Sequence, residues 1–326
     1  MKHWIRSACV GVVACLVGLS ATLAQEEPAA TPARGKTVVD IRPDRIILID
    51  ITRAGDRLVA VGERGFALLS DDAGKTWRAR ETPVTRTLTG VAFSDTKVGV
   101  AVGHGASIVR TEDGGENWTH VPLPEAEPES LLGVASLGGD HFAAYGAFGM
   151  YFDSVDAGRT WERRTVMNEE FEWHISQVVP VGNSLLLVGE SGTLARSDDG
   201  GATWTAITSP YVGSYFGALA TPDGSVLAFG MRGNVFRSSD LGATWTELPL
   251  ETTASLNGGA VLGDGRILLV GNSGLLAMSR DGGRTLDVHW APGGRGFSNV
   301  VEANGAIVMA GESGITTLNP DWLARR

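Results

Sequence analysis

Between residues 88 and 123 the chain alternates short apolar runs with turn signals. LTGVAF from Leu88 is followed by SDTK, VGVAVG from Val98 by a glycine turn, SIVRT from Ser107 by an eight-residue polar turn, and NWTHVPL closes the unit. Runs of this length, rich in β-branched residues and bounded by turn residues, predict four antiparallel strands. The same order recurs along the chain. Its clock is a glycine that opens a tight turn at Gly62, Gly103, Gly146, Gly189, Gly230, Gly271 and Gly311, spaced by 41, 43, 43, 41, 41 and 40 residues. That period matches a four-stranded propeller blade. Seven glycines predict an all-β, seven-bladed β-propeller over residues 36–326, with inner strands beginning near Ile46, Leu88, Leu131, His174, Tyr215, Leu256 and Phe297. Small residues in those strands, such as Gly133 and Gly217, suit crowding near the axis.

The seventh unit has only three strands before the chain ends in NPDWLARR, while KTVVDI from Lys36 precedes the first inner strand and belongs to no unit. An open ring leaves two unpaired edges. The N-terminal strand over 36–41 is therefore expected to complete the last blade.

Eight residues after each of the first six glycines comes an octapeptide: SDDAGKTW from Ser70, TEDGGENW from Thr111, SVDAGRTW from Ser154, SDDGGATW from Ser197, SSDLGATW from Ser238 and SRDGGRTL from Ser279. The GKT of the first invites a nucleotide reading, but a phosphate-binding loop needs a glycine five residues before GK, where Leu69 stands. The shared pattern SxDxGxTW instead reads as a turn between third and fourth strands. Asp72, Asp113, Asp156, Asp199, Asp240 and Asp281 accept turn amides, glycine takes positive φ, and the tryptophan covers the hairpin. Their expected role is structural, with no metal.

These are Asp-box, or bacterial-neuraminidase, repeats. With VAVG and DGGENW joined by a short strand, the chain resembles the photosystem II stability and assembly factor family. The resemblance implies a seven-bladed, non-catalytic, protein-binding propeller that serves a membrane-associated complex.

Residues 1–24 have a basic start, an apolar stretch from Ala8 to Leu19 and small residues ending at Ala24, which reads as a signal peptide cleaved after Ala24. Both cysteines lie inside it, so the mature chain is thiol-free. VVAC before Cys15 looks like a lipoprotein box, but the apolar run continues past it. Residues 25–35 form a Pro- and Ala-rich leader, expected to be disordered. Cleavage removes Lys2 and Arg6, taking the formal net charge from −10 to −12, and no basic run remains to bind nucleic acid. No second apolar stretch is long enough to span a bilayer.

Sialidases share the Asp-box, so glycoside hydrolysis, or glycan or small-molecule binding, is the alternative. A sialidase needs a tyrosine nucleophile, an arginine cluster and an acid. Only Tyr145, Tyr151, Tyr211 and Tyr215 are available, and the six histidines show no metal-ligand spacing. No catalytic residues, cofactor or metal are therefore expected. The partner is expected on the face that carries the second-to-third turns and the crossovers between blades. There Glu125, Glu127, Glu129, Glu169, Glu170 and Glu172 gather beside Phe171, Trp173, Tyr211 and Tyr215, with Arg64, His104 and Arg232 from the glycine turns. Trp173 and Tyr211 are the expected anchors of a basic or mixed protein surface.

Overall fold

In a computed structural model of the chain, residues 41–123 and 129–319 are described. They form seven antiparallel sheets, each with its strands in chain order from inside to outside. The first blade is Leu48–Ala54, Arg57–Gly62, Phe66–Ser70 and Arg78–Glu81. Six blades have four strands, and the seventh has Phe297–Ala303, Ala306–Gly311 and Gly314–Leu318.

The second strand of each blade is buried almost end to end, as in Ser184–Gly189 and Ile267–Gly271. Each lies between two neighbouring blades, so both of its faces meet apolar surface and its sequence runs continuously apolar instead of alternating. The core is accordingly divided among seven inter-blade layers. Val100, Val102 and Ile108 of the second blade pack against Leu131, Phe142 and Phe152 of the third. Another layer joins Leu58 and Leu68 of the first blade to Val308 and Ala310 of the last. Burying one such side chain contributes ~1.5–3 kcal/mol.

The fourth strands are shorter than the apolar runs suggest. In the second to fifth blades they have two residues each, Thr119–His120 for example. They are exposed edges, and the turn before them already holds the chain in place, so little pairing is required.

The strand expected over 36–41 lies outside the described residues except for Ile41. Ile41 packs into the layer between the last and first blades, and the Ile315 amide donates to the Pro43 carbonyl at 2.9 Å. Gly314, at φ +72°, lies so close to Pro43 and Ile46 that a Cβ would collide with the Pro43 carbonyl. The signal segment and leader also lie outside the described residues. No helix among the described residues is long and apolar enough to cross a membrane.

Candidate functional site

The octapeptide turns repeat one hydrogen-bond pattern. At Asp199, Oδ1 accepts from the Ser197 hydroxyl at 2.8 Å and the Thr203 amide at 2.9 Å, while Oδ2 accepts from the Thr203 hydroxyl at 2.6 Å. The Ser197 Oγ in turn accepts from the Gly201 amide at 2.8 Å. Asp72, Asp156, Asp240 and Asp281 repeat these bonds, and Asp113 does so with the Thr111 hydroxyl and the Asn117 side-chain amide in their place. The threonine hydroxyl first, then its amide and the serine hydroxyl, hold Asp72, Asp199 and Asp240 down to about 2. Both oxygens of each carboxylate thus accept hydrogen bonds from within their own turn. Among the described residues, no three His, Cys, Asp or Glu side chains converge to hold a metal ion.

An axial channel of about 450 Å³ is lined by the inner strands. Its polar groups tie neighbouring blades together. Asp50 Oδ2 accepts from the Val91 amide at 2.8 Å and Oδ1 from Asn299 Nδ2 at 2.7 Å, which spans the first, second and seventh blades. Burial pushes the Asp50 carboxyl up to about 6 against these bonds. The Thr89 hydroxyl donates to the Leu131 carbonyl, and Gln177 Oε1 accepts from the Ala218 amide. Gly133 leaves room for the Tyr145 ring, which a Cβ would meet at 2.5 Å. The four hydrogen bonds join neighbouring blades of the ring.

The face opposite the Asp-box turns is built differently. The glycine turns are bonded to the crossovers on either side of their blade: the Gly149 amide donates at 3.1 Å to the Trp173 carbonyl, in the crossover that leaves its blade, and the Met231 amide at 3.1 Å to the Ser214 carbonyl, in the crossover that enters its own. In the first six blades the third turn residue is left-handed even where it is not glycine, as at Arg64, Phe148, Ser191, Arg232 and Ser273. A left-handed phenylalanine is an unfavourable local choice. It turns the ring outward, 54% exposed.

Seven large apolar side chains are exposed among the described residues; five of them, Ile47, Phe148, Trp173, Val212 and Met231, lie on the turns and crossovers of this face, and a sixth, Trp290, ends the fourth strand of the sixth blade opposite Leu275, next to that blade's glycine turn. The charges divide in the same way. On the Asp-box side arginines and carboxylates neutralise one another, in Arg57, Arg78 and Arg80 around Asp71 and Glu116, and in Arg237 and Arg284 on Asp223. On the turn face the His174 ring stands against Glu190, with 2.9 Å between Nδ1 and Oε2 off the line of a hydrogen bond. Among the described residues, no carboxylate pairs with the exposed Arg64, His104 and Arg232 on this face, and no basic side chain pairs with the exposed Glu170 and Glu172.

The expected binding residues are thus only partly gathered. Trp173 is 51% exposed. Glu169 is exposed, with the Thr165 hydroxyl donating to it at 3.2 Å, and Glu129 is half-buried. Glu125 and Glu127 lie outside the described residues. Tyr215 is corrected: it is fully buried, in the layer between the fourth and fifth blades, because an inner-strand position points into the core. Tyr211 is half-buried against Tyr215 and Phe236, with centroids 5.8 and 5.7 Å away, and Phe171 is half-buried against the adjoining layer. Tyr145 and Tyr151 are core side chains. Phe148, Met231 and Glu190 were not expected. Their signal is a large or charged residue inside the repeating G-x-x-G turn.

Residues 69–258 match the family model described as photosynthesis system II assembly factor YCF48. The chain is 28% identical over 151 residues to the photosystem II assembly protein Ycf48 of Synechococcus sp. (strain JA-2-3B'a(2-13)), a stretch covering 45% of each chain. It is 26% identical over 152 residues to the photosystem II assembly lipoprotein Ycf48 of Synechococcus sp. (strain CC9902), covering 46% of this chain and 45% of that one. The matches thus span under half of these relatives. A solved structure described as YCF48 bound to D1 peptide has a similar fold, with TM-score 0.69 and 20% identity over 88% of this chain and 98% of that one. With a family model covering more than half of its length, the chain belongs to the photosystem II assembly factor YCF48 family.

Proposed function

We propose that this chain is an exported, non-catalytic propeller that holds a segment of a membrane-associated protein on its turn face while a complex is assembled. The observation that carries this reading is the segregation of surface chemistry. Exposed apolar side chains and unpaired charges share one face, whereas the other face neutralises its own charges. Aromatic anchors beside charges suit a polypeptide partner, with the charges steering its approach. The names of the relatives as photosystem II assembly proteins, and the D1 peptide bound by a protein of the same fold, favour this partner class. The leader that reads as a signal peptide, and a relative named as a lipoprotein, favour export with cleavage after Ala24.

The test is capture from solubilised membranes of the source organism by wild type, by Trp173→Ala with Phe148→Asn, and by Glu169, Glu170 and Glu172 reversed to lysine. Wild type is expected to retain a membrane protein that both variants lose while keeping the wild-type melting curve. Equal recovery by all three folded proteins would place the contact elsewhere. N-terminal sequencing of the exported protein should begin at Gln25.

A further inference from the structure

Between the third and fourth blades the turn face holds a cleft of about 360 Å³, lined by Phe148, Glu170, Glu172, Trp173, His174 and Glu190. That volume is near the lower end of the ~300–1,000 Å³ usual for binding sites, suited to a single side chain. Its walls are set by backbone. The Gly149 amide is bonded to the Trp173 carbonyl, and the Glu190 amide to the His174 carbonyl at 2.9 Å, so both glycine turns are latched to the same crossover. The Phe148 ring leans on the His174 ring with centroids 5.0 Å apart. Two half-exposed aromatic rings and three carboxylates therefore share one opening, and no lysine or arginine lines it. The Glu170 and Glu172 carboxylates have no hydrogen-bonding or ionic partner among the described residues, in a chain where Glu116 alone meets three arginines.

From this charge complementarity we infer that the cleft receives one basic side chain, arginine or lysine, of the docked polypeptide. The rings offer their faces to a cation and the carboxylates accept charge-assisted hydrogen bonds. Because the latched turns fix the backbone that carries the rings, and the Phe148 ring already rests on His174, part of the ordering is in place before the ligand arrives. The inference rests on the docking-face reading and specifies one of its contacts.

The mature protein is titrated by NMR with capped Gly/Ser nonapeptides bearing a central arginine, lysine, norleucine or glutamate. Saturable binding of the arginine or lysine peptide is expected, about tenfold weaker for norleucine and undetectable for glutamate. Glu170→Gln with Glu172→Gln, which keeps shape and removes charge, should weaken the arginine peptide about tenfold. Phe148→Asn, which tolerates the left-handed backbone, should do the same. Glu247→Gln, on the exposed fourth strand of the fifth blade, should leave it unchanged. The inference is overturned if norleucine binds as tightly as arginine, if the glutamine pair has no effect, or if neither basic peptide saturates. Should the glutamine pair still capture the membrane partner while the basic peptides fail to bind, the docking face stands and the cleft falls. Should wild type capture nothing while the peptides bind as expected, the reverse holds.

Discussion

At the scale of single residues the positions that matter most are those where backbone geometry and side-chain choice disagree. Phe148 sits at φ 51° in a turn whose third place is filled elsewhere by arginine, serine or glycine, and its ring faces outward over His174. Replacing it with glycine should remove the steric cost of a left-handed L-residue while abolishing one wall of the cleft. Chemical denaturation is expected to show no loss of stability, and partner capture a clear loss. The Asp-box supplies a sharper comparison. Gly200 and Gly201 are both left-handed, at φ 75° and 95°, but a Cβ on Gly200 meets nothing nearer than His141 Cε1 at 3.8 Å, whereas one on Gly201 meets the Tyr151 hydroxyl at 2.5 Å. Gly200→Ala should therefore cost only the conformational penalty, ~1–2 kcal/mol, and Gly201→Ala distinctly more. Equal losses in urea unfolding would contradict this. Alanine already occupies the fourth octapeptide place at Ala73 and Ala157, so the position was legible in the sequence as a tolerant one.

At the scale of elements, the octapeptide was legible because its bonds close within eight residues. Nothing distant is needed to satisfy Asp199 or Ser197. Because hydrogen bonds hold the folded pKa of Asp72, Asp199 and Asp240 near 2, below the unfolded value near 4, these turns contribute stability that is present above about pH 4. It is lost as pH falls toward 2. Unfolding midpoints measured from pH 5 to pH 2 should decline, and the decline should be shallower in Asp199→Asn with Asp240→Asn. Asp199→Ala should lower the melting temperature even at pH 7 without loss of partner capture. The tryptophans were legible as covers, but not the difference among them. Trp77, Trp118 and Trp161 donate to the glycine carbonyl of their own turn, while the buried indole nitrogens of Trp204 and Trp245 find no acceptor among the described residues.

At the scale of the whole molecule the ring is closed by chemistry between distant ends. The Ser298 hydroxyl donates to the Leu48 carbonyl, Asn299 to Asp50, and the Ile315 amide to Pro43. Asp50→Ala would strand the Val91 and Ile51 amides and the Asn299 amide group, and should cost about 2–4 kcal/mol in denaturant unfolding. The sign of its pH dependence is opposite to that of the Asp-box. A folded pKa raised to about 6 favours the fold below pH 4, and that contribution fades as pH rises through 6. Deleting residues 36–41 should lower the melting temperature sharply if that segment supplies the seventh blade's missing strand. By itself the sequence determined the number of blades, the strand order and the Asp-box turns, because each follows from a period of about 41 residues and from bonds made inside one repeat. Only the tertiary structure decided which residues share a surface. Tyr215 and Trp173 stand alike beside crossover loops in the sequence, yet one is buried at 0% and the other is half-exposed. Exposure is set by the neighbouring blade, about 40 residues away, and no local pattern of apolar residues records it.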